Sequence, residues 1–199
     1  TKYPKRITLA AGAFLSVQVN FYILISFILA YGSDPTGGGM SRETVLIAVL
    51  IASALMVVIQ FWASAYSDRH GRKGIFMLGA ALTGISAFAL FPLVSTGSFW
   101  LSVLGISAGL CFVGMMYGPQ AAFFTELFST EVRYSGASLG YQLGAIVGGA
   151  FAPVIATFLW AEYSVFWVAA YMAFASILTI ISVAFLSETY KTSLTEESQ

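Results

Sequence analysis

The chain reads as six long apolar runs separated by short polar or glycine-rich breaks. The runs cover about 7–31, 43–66, 74–94, 98–127, 136–160 and 164–186. The breaks are a glycine-rich stretch at 32–39, the charged knot Asp68-Arg69-His70-Gly71-Arg72-Lys73, Ser95-Thr96-Gly97, the polar stretch 129–133, and Ala161-Glu162-Tyr163. Each run matches or exceeds the ~20 residues a helix needs to cross a hydrocarbon core. None alternates with period two, and an open strand cannot satisfy its backbone in lipid, so all six are predicted helices. The expectation is an all-α membrane protein: one six-helix transmembrane bundle over 1–187, then a polar tail over 188–199.

Composition supports this. Hydrophobic residues make up 58% of the chain and charged ones 9%, where a soluble domain is about half apolar and a quarter charged. The formal net charge is zero, and nothing in it points to nucleic acid. The placement of charge is more informative. If the knot at 68–73 is cytoplasmic, so are the N-terminus, the loop near 128–135 and the C-terminal tail. Those regions hold Lys2, Lys5, Arg6, Arg69, Arg72, Lys73, Arg133 and Lys191, eight of the nine Lys and Arg residues, and only Arg42 falls outside. This is a positive-inside pattern with both termini cytoplasmic, and it predicts a multi-pass protein of the cell (inner) membrane. Trp100, Trp160, Tyr163, Phe166 and Trp167 then form an outer interfacial belt. The single cysteine, Cys111, permits no internal disulfide and reads as an apolar packing residue.

Polar side chains inside the runs are costly and usually face a cavity or a partner helix. Gln18, Asn20, Gln60, Gln120 and Gln142 fall in the first, second, fourth and fifth runs, and the third and sixth have neither Asn nor Gln. The split predicts a three-plus-three internal repeat, with the third and sixth helices as outer struts and the other four lining a path. Gln18, Tyr22 and Ser26 share a helix face, as do Ser53, Gln60 and Ser64. In Tyr117-Gly118-Pro119-Gln120 a helix breaker stands beside two hydrogen-bonding side chains, which predicts a kink. The candidate cavity residues are therefore Gln18, Tyr22, Gln60, Tyr117, Gln120 and Gln142; for any one of them the alternative is interhelical glue. Gly105 and Gly109, and Gly136, Gly140, Gly144 and Gly148 at four-residue steps, form small-residue ridges for close helix packing, either static or able to slide.

No Asp, Glu, Lys, Arg or His lies in the middle of a run. This argues against an enzyme, a metal or cofactor site, or a proton relay within these residues. The ionisable groups gather at one end instead. Glu126 closes the fourth run, where a carboxylate opposes the helix dipole by a few tenths to about 1 kcal/mol, so a cation is expected beside it. Arg72 or Arg69 is the candidate. With Asp68 and Arg133, these residues form a candidate inner gate that would break on opening; the plainer alternative is a topology anchor.

Ser64-Ala65-Tyr66-Ser67-Asp68-Arg69-His70-Gly71-Arg72-Lys73 resembles the loop signature G-x-x-x-D-R-x-G-R-[KR] of the major facilitator superfamily, with Ser64 in place of the leading glycine. The stretches Tyr117 to Phe123 and Glu126 to Gln142 resemble the tenth and eleventh helices of its metabolite:proton symporter branch, which carries shikimate, 2-oxoglutarate, citrate, proline and betaine transporters. Ser129 stands where that branch usually has Pro. The resemblance covers essentially the whole chain, aligned to the C-terminal half of a twelve-helix protein. It implies a proton-coupled symporter of a small organic acid or zwitterion, working by alternating access between two six-helix halves. Asp68 would dock on the absent N-terminal half, Arg72 would pair with Glu126, and the coupling carboxylates would lie in the absent half. The implied partners are the metabolite, the proton, the lipid bilayer and the N-terminal half. Two other readings stay open: a self-contained six-helix protein acting as a homodimeric half-transporter, and a non-transporting membrane scaffold or receptor.

Overall fold

The computed structural model describes residues 3–126 and 133–186, and they form six long helices with no strand among the described residues. Helix α1 runs over Tyr3–Tyr22, passes through a wide π-helical turn at Ile23–Phe27 and ends with Ile28–Ser33. Helices α2, α3 and α4 are Arg42–His70, Arg72–Ser95 and Phe99–Glu126. Helix α5 begins as Arg133–Gly144, widens into a second π-helical turn at Ala145–Ala150 and resumes over Ala152–Glu162. Helix α6 is Val165–Ala184. Every one of the six contains a stretch long and apolar enough to cross a membrane. The tail 188–199, the side chain of Arg133 and the surroundings of Gly136 and Gly140 lie outside the described residues.

Local chemistry explains the boundaries. Asp34 Oδ1 accepts from the Thr36 amide at 2.8 Å and the Thr36 hydroxyl at 2.6 Å, closing a tight turn after α1. Those two donors, the hydroxyl first, hold the Asp34 carboxyl below its ordinary value. Ser41 caps α2 by accepting from the Thr44 amide at 3.1 Å. Helix α2 then runs through the charged knot as far as His70, and the whole connection to α3 is Gly71. Its φ of +104° is closed to residues with a side chain. Pro119 stays inside a continuous α4. The helical irregularities are the two π turns, which apolar and glycine sequence did not signal.

The packing has an internal two-fold character. Helix α1 packs on α5 and α6, α4 packs on α2 and α3, and α3 and α6 pack on each other. Exchanging α1 with α4, α2 with α5 and α3 with α6 maps this pattern onto itself, the three-plus-three repeat that the polar residues predicted. Helices α3 and α6 pack on each other, and within this half α2 is the most exposed of the six. Helix α2 exposes Leu50, Val58, Phe61 and Trp62, and α5 exposes Val154 and Phe158. An apolar exterior is what a bundle solvated by lipid or covered by another apolar surface requires. Trp100, Tyr163, Phe166 and Trp167 are exposed at the end opposite Gly71, but Trp160 is not part of that belt. It packs edge-on against Phe27 and Tyr31, with ring centroids 5.8 and 5.3 Å away.

Two seams show what holds the layers together. Between α1 and α6, Ser16 Oγ and Ser176 Oγ share a hydrogen bond at 3.0 Å, the Ser16 amide donates to Thr179 Oγ1 at 2.9 Å, and Asn20 Nδ2 donates to Ser16 O and Oγ. Asn20 Nδ2 also reaches Ser176 Oγ at 3.5 Å, while Asn20 Oδ1 has no hydrogen-bond partner among the described residues. At the charged end, Lys73 Nζ donates to the carbonyls of Ala184 at 2.7 Å and Leu186 at 2.9 Å, capping α6. A cation at a helix C-terminus satisfies orphan carbonyls and interacts favourably with the dipole. Lys73→Met should destabilise the full-length protein by about 0.5–1.5 kcal/mol, read as a lower melting temperature in detergent; an unchanged melting temperature would rule out the cap as a stabilising contact.

Candidate functional site

The candidate site is built from one face of α1 and one face of α4, which run antiparallel. On α1, Phe14, Gln18 and Phe21 are spaced i, i+4, i+7; on α4, Tyr117, Gln120 and Phe124 are spaced i, i+3, i+7. Phe14 stacks on Phe124 with centroids 3.9 Å apart, and Phe21 meets Tyr117 at 6.0 Å. These contacts set the register and place Gln18 and Gln120 at one level, between the two aromatic pairs. Both are almost completely buried, at 3% and 6% exposure. Gln18 Nε2 and Gln120 Oε1 nevertheless have no hydrogen-bond partner among the described residues. Buried amide atoms left this way cost about 1–3 kcal/mol each unless water or a ligand meets them.

Helix α5 closes the third side. Gly144 and Gly148 let it approach α1 so closely that a Cβ at Gly148 would sit 3.0 Å from Gln18 Cβ, and one at Gly144 only 2.6 Å from Phe14 Cβ. Gly149 lies under the Tyr22 ring, with 2.8 Å between its notional Cβ and that ring. Tyr141 meets Phe14 edge-on at 5.1 Å. Tyr22 and Tyr117 both lie against Phe21, with ring centroids 5.8 and 6.0 Å away. Three tyrosines from three helices thus each meet one of the phenylalanine rings, Phe14 or Phe21, on the α1 face that carries Gln18.

The structure brings together Gln18, Tyr22, Tyr117 and Gln120, and leaves two predicted residues apart. Gln60 lies in the α2–α4 seam, where its backbone carbonyl abuts Gly118, and its side chain is half-buried. Gln142 is exposed on α5, because two residues round a helix from Gly144 is roughly the opposite face. Tyr141, Phe14, Phe21 and Phe124 were missed. Tyr141 was within reach of the sequence, since it shares the i, i+3, i+7 face of Gly144 and Gly148. The aromatic pairs carried no signal distinguishing them from core. Of the other predicted packing glycines, Gly105 faces Leu90 and Leu93 of α3, and Gly109 faces Leu24 of α1 at 2.9 Å.

A second cluster occupies the charged end. Arg72 reaches Asp68, Ser67 Oγ at 2.9 Å and Glu126 Oε1 at 3.1 Å, so one guanidinium joins the end of α2, the start of α3 and the end of α4. Its side chain is 11% exposed, that of Glu126 14% and that of Asp68 57%. A planar fork is suited to bridging two carboxylates in this way. The expected Arg72–Glu126 pair is present. Arg69 is exposed outside it, and the side chain of Arg133 is outside the described residues.

The fold thus defines a six-helix membrane bundle of repeated halves, with a polar seam between its first and fourth helices. By sequence, residues 7–199 match the Major Facilitator Superfamily, and the chain belongs to that family. It is 32% identical over 197 residues to the inner membrane metabolite transport protein YhjE of Escherichia coli (strain K12), covering 98% of this chain and 45% of that protein. It is 29% identical to the shikimate transporter of the same organism, over 90% of this chain and 43% of the transporter. It is 28% identical to the citrate-proton symporter of Klebsiella pneumoniae, over 83% of this chain and 37% of the symporter. These relatives are transporters rather than enzymes, and the chain spans less than half the length of each.

Proposed function

We propose that this bundle is one six-helix half of a proton-coupled carrier of small organic acids or zwitterions. It works with a second six-helix bundle of the same transporter, whose helices meet the exposed faces of α2 and α5. The observation that carries the reading is the facing pair Gln18 and Gln120, with hydrogen-bonding atoms left open inside an apolar bundle. Such groups are retained at membrane depth where they meet a substrate or water. Tyr22, Tyr117 and Tyr141 extend the same polar patch. The names of the shikimate and citrate-proton relatives support the substrate class, and the latter supports proton coupling. The described helices carry no carboxylate near their centres, so the coupling group belongs to the other half. On this reading the charged end faces the cytoplasm, following the Lys and Arg distribution. The Arg72 cluster is then a latch, closed while α2 and α4 are held together at that end and broken when the inner side opens.

The test is uptake by the full-length protein in proteoliposomes. Labelled shikimate, citrate or proline should accumulate when the lumen is alkaline, and a protonophore should collapse the accumulation. Uptake insensitive to the proton gradient would overturn the coupling; no uptake of any of the three would overturn the substrate class.

A further inference from the structure

We infer that Thr179 pins α1 to α6 through the backbone of α1, so that α1 is one body with α6 as far as Asn20 and bends only at its π turn. The inference rests on the carrier reading above for what that bending serves.

Helix α1 has two soft places. The first is Gly12, a glycine inside a helix, which holds its helical conformation less firmly than alanine would. The second is the π turn at Ile23–Phe27, where hydrogen-bond geometry is poorer than in the turns around it. Helix α6 ties down only the first. Thr179 Oγ1 accepts from the Ser16 amide at 2.9 Å and donates to the Gly12 carbonyl at 2.9 Å. Those two groups are the ends of a single i→i−4 rung of α1. A side chain set into the ladder is a place where helices bend, and here it belongs to a neighbouring helix, which therefore fixes the bend. The next rung is held by the same seam: Ser16 Oγ meets Ser176 Oγ at 3.0 Å, and Asn20 Nδ2 donates to the Ser16 carbonyl at 2.8 Å. Gly12, Ser16 and Asn20 share one face of α1 at i, i+4, i+8, and a Cβ at Gly12 would run into Ser182 Oγ. Ser16, Asn20, Ser176 and Thr179 are at most 2% exposed, so their bonds are shielded from water.

Among the described residues, no such tie reaches the π turn: no side chain of another helix hydrogen-bonds to α1 between Phe21 and Ala30. Leu24 rests on Gly109, and Phe27 on Phe91 and Trp160, contacts that are apolar and without direction. The next polar tie lies beyond the turn, where the Tyr31 hydroxyl and Ser95 Oγ share a hydrogen bond at 2.8 Å. Among the described residues, the seam related by the internal two-fold has no counterpart of the pin. There Gly79 of α3 lies against the Phe112 carbonyl, Met115 and Met116 of α4, and Thr83 Oγ1 donates to the Gly79 carbonyl of its own helix. Bending confined to the π turn carries Phe27 and Tyr31 along and leaves Gln18 set against α4.

The test is two spin-label distances in the full-length protein in lipid nanodiscs, with its native cysteines, Cys111 among them, replaced by alanine. Labels at Thr8 and Phe166 report the pinned part of α1 against α6, and labels at Ala30 and Ile181 report the part beyond the π turn; all four positions are exposed. With Thr179 intact, the first distance should be narrowly distributed and the second roughly twice as wide. Thr179→Val keeps the shape and loses the hydroxyl. Ser16 and Gly12 can then close their rung on each other, so the fold survives, but the first distribution should widen roughly twofold. Thr179→Ser keeps the hydroxyl, loses a methyl, and should leave that distribution narrow. A role in packing alone predicts the opposite order of the two variants. Equal widths for the two distances with Thr179 intact, or matching first distances in the valine and serine variants, would overturn the pin; the first comparison decides even where a variant fails to fold. Wild-type uptake of labelled shikimate, citrate or proline keeps the two readings apart. Uptake together with equal widths would overturn the pin alone, and the expected widths without uptake would overturn the substrate class and leave the pin.

Discussion

Arg72→Ala in the full-length protein is expected to destabilise it by about 3–5 kcal/mol, because it strips a largely buried carboxylate of its partner. Glu126 is 14% exposed and is held by Arg72 across 3.1 Å. With the guanidinium gone, Glu126 sits at the C-terminal end of α4, where the helix dipole also opposes it. Ser67 loses its 2.9 Å contact from the guanidinium at the same time. Arg72→Lys keeps the charge but cannot fork between Asp68 and Glu126, so it should recover only part of the loss. Thermal unfolding in detergent reads the stability, and proteoliposome uptake reads the proposed latch. An unchanged melting temperature for Arg72→Ala would remove the cluster's structural role; normal uptake by that variant would remove the latch. Asp68→Asn separates the two, since Asp68 is 57% exposed and its pair contributes little to stability. It should melt near wild type and still transport poorly.

Gly118→Val is the second large effect expected. A Cβ at this position would collide with the backbone carbonyl of Gln60 and come within 2.9 Å of the Ser64 amide nitrogen and 3.2 Å of Ala63 Cβ. Two of these are backbone atoms of a neighbouring helix and the third is an alanine Cβ, so no rotamer change relieves the clash and α2 must move away from α4. Overpacking of this kind costs about 1–3 kcal/mol and more where the backbone has to shift. The loss should appear in the melting temperature and as faster proteolysis of the α2–α4 seam. Gly114 lies a turn away with Met56 Cγ and the Met56 carbonyl oxygen both at 3.1 Å, and Gly114→Ala should cost visibly less because these approaches are looser than the collision at Gly118 and one of them is a flexible side chain. Equal melting temperatures for wild type and Gly118→Val would show that the two helices are not in contact at this level.

The six helices and their repeat were legible because lipid leaves few choices: an apolar run of sufficient length has to be a helix. The Arg72–Glu126 pair was legible for an electrostatic reason, since a carboxylate at a helix C-terminus needs a cation and few were available. The side of each amide was harder. Helical spacing put Gln18 and Gln120 on faces with aromatic neighbours, and the structure buries both between two aromatic pairs. Asn20, two residues from Gln18, was counted among the amides of the runs but not among the candidate cavity residues, and the structure turns its Nδ2 towards Ser16 and Ser176. Gln142 was chosen over Tyr141 by polarity alone, although the glycine spacing on α5 already favoured Tyr141. The π turns left no mark in the sequence, because their residues are ordinary apolar ones in α1 and small ones in α5. Pro119 lies inside a continuous helix, where a proline is tolerated because neighbours pack round it.

The two wide turns make the bundle lopsided. Both belong to the α1–α5 pair, and the pair related to it by the internal two-fold, α4 with α2, is regular and locked by Gly114 and Gly118. A π turn holds one residue more than the helix needs, with poorer hydrogen-bond geometry than the turns beside it. Passing that surplus along the chain rotates everything beyond it by about 100°. Pliancy therefore resides in one flank and stiffness in the other, so that two repeats of common design end up as a spring and a post.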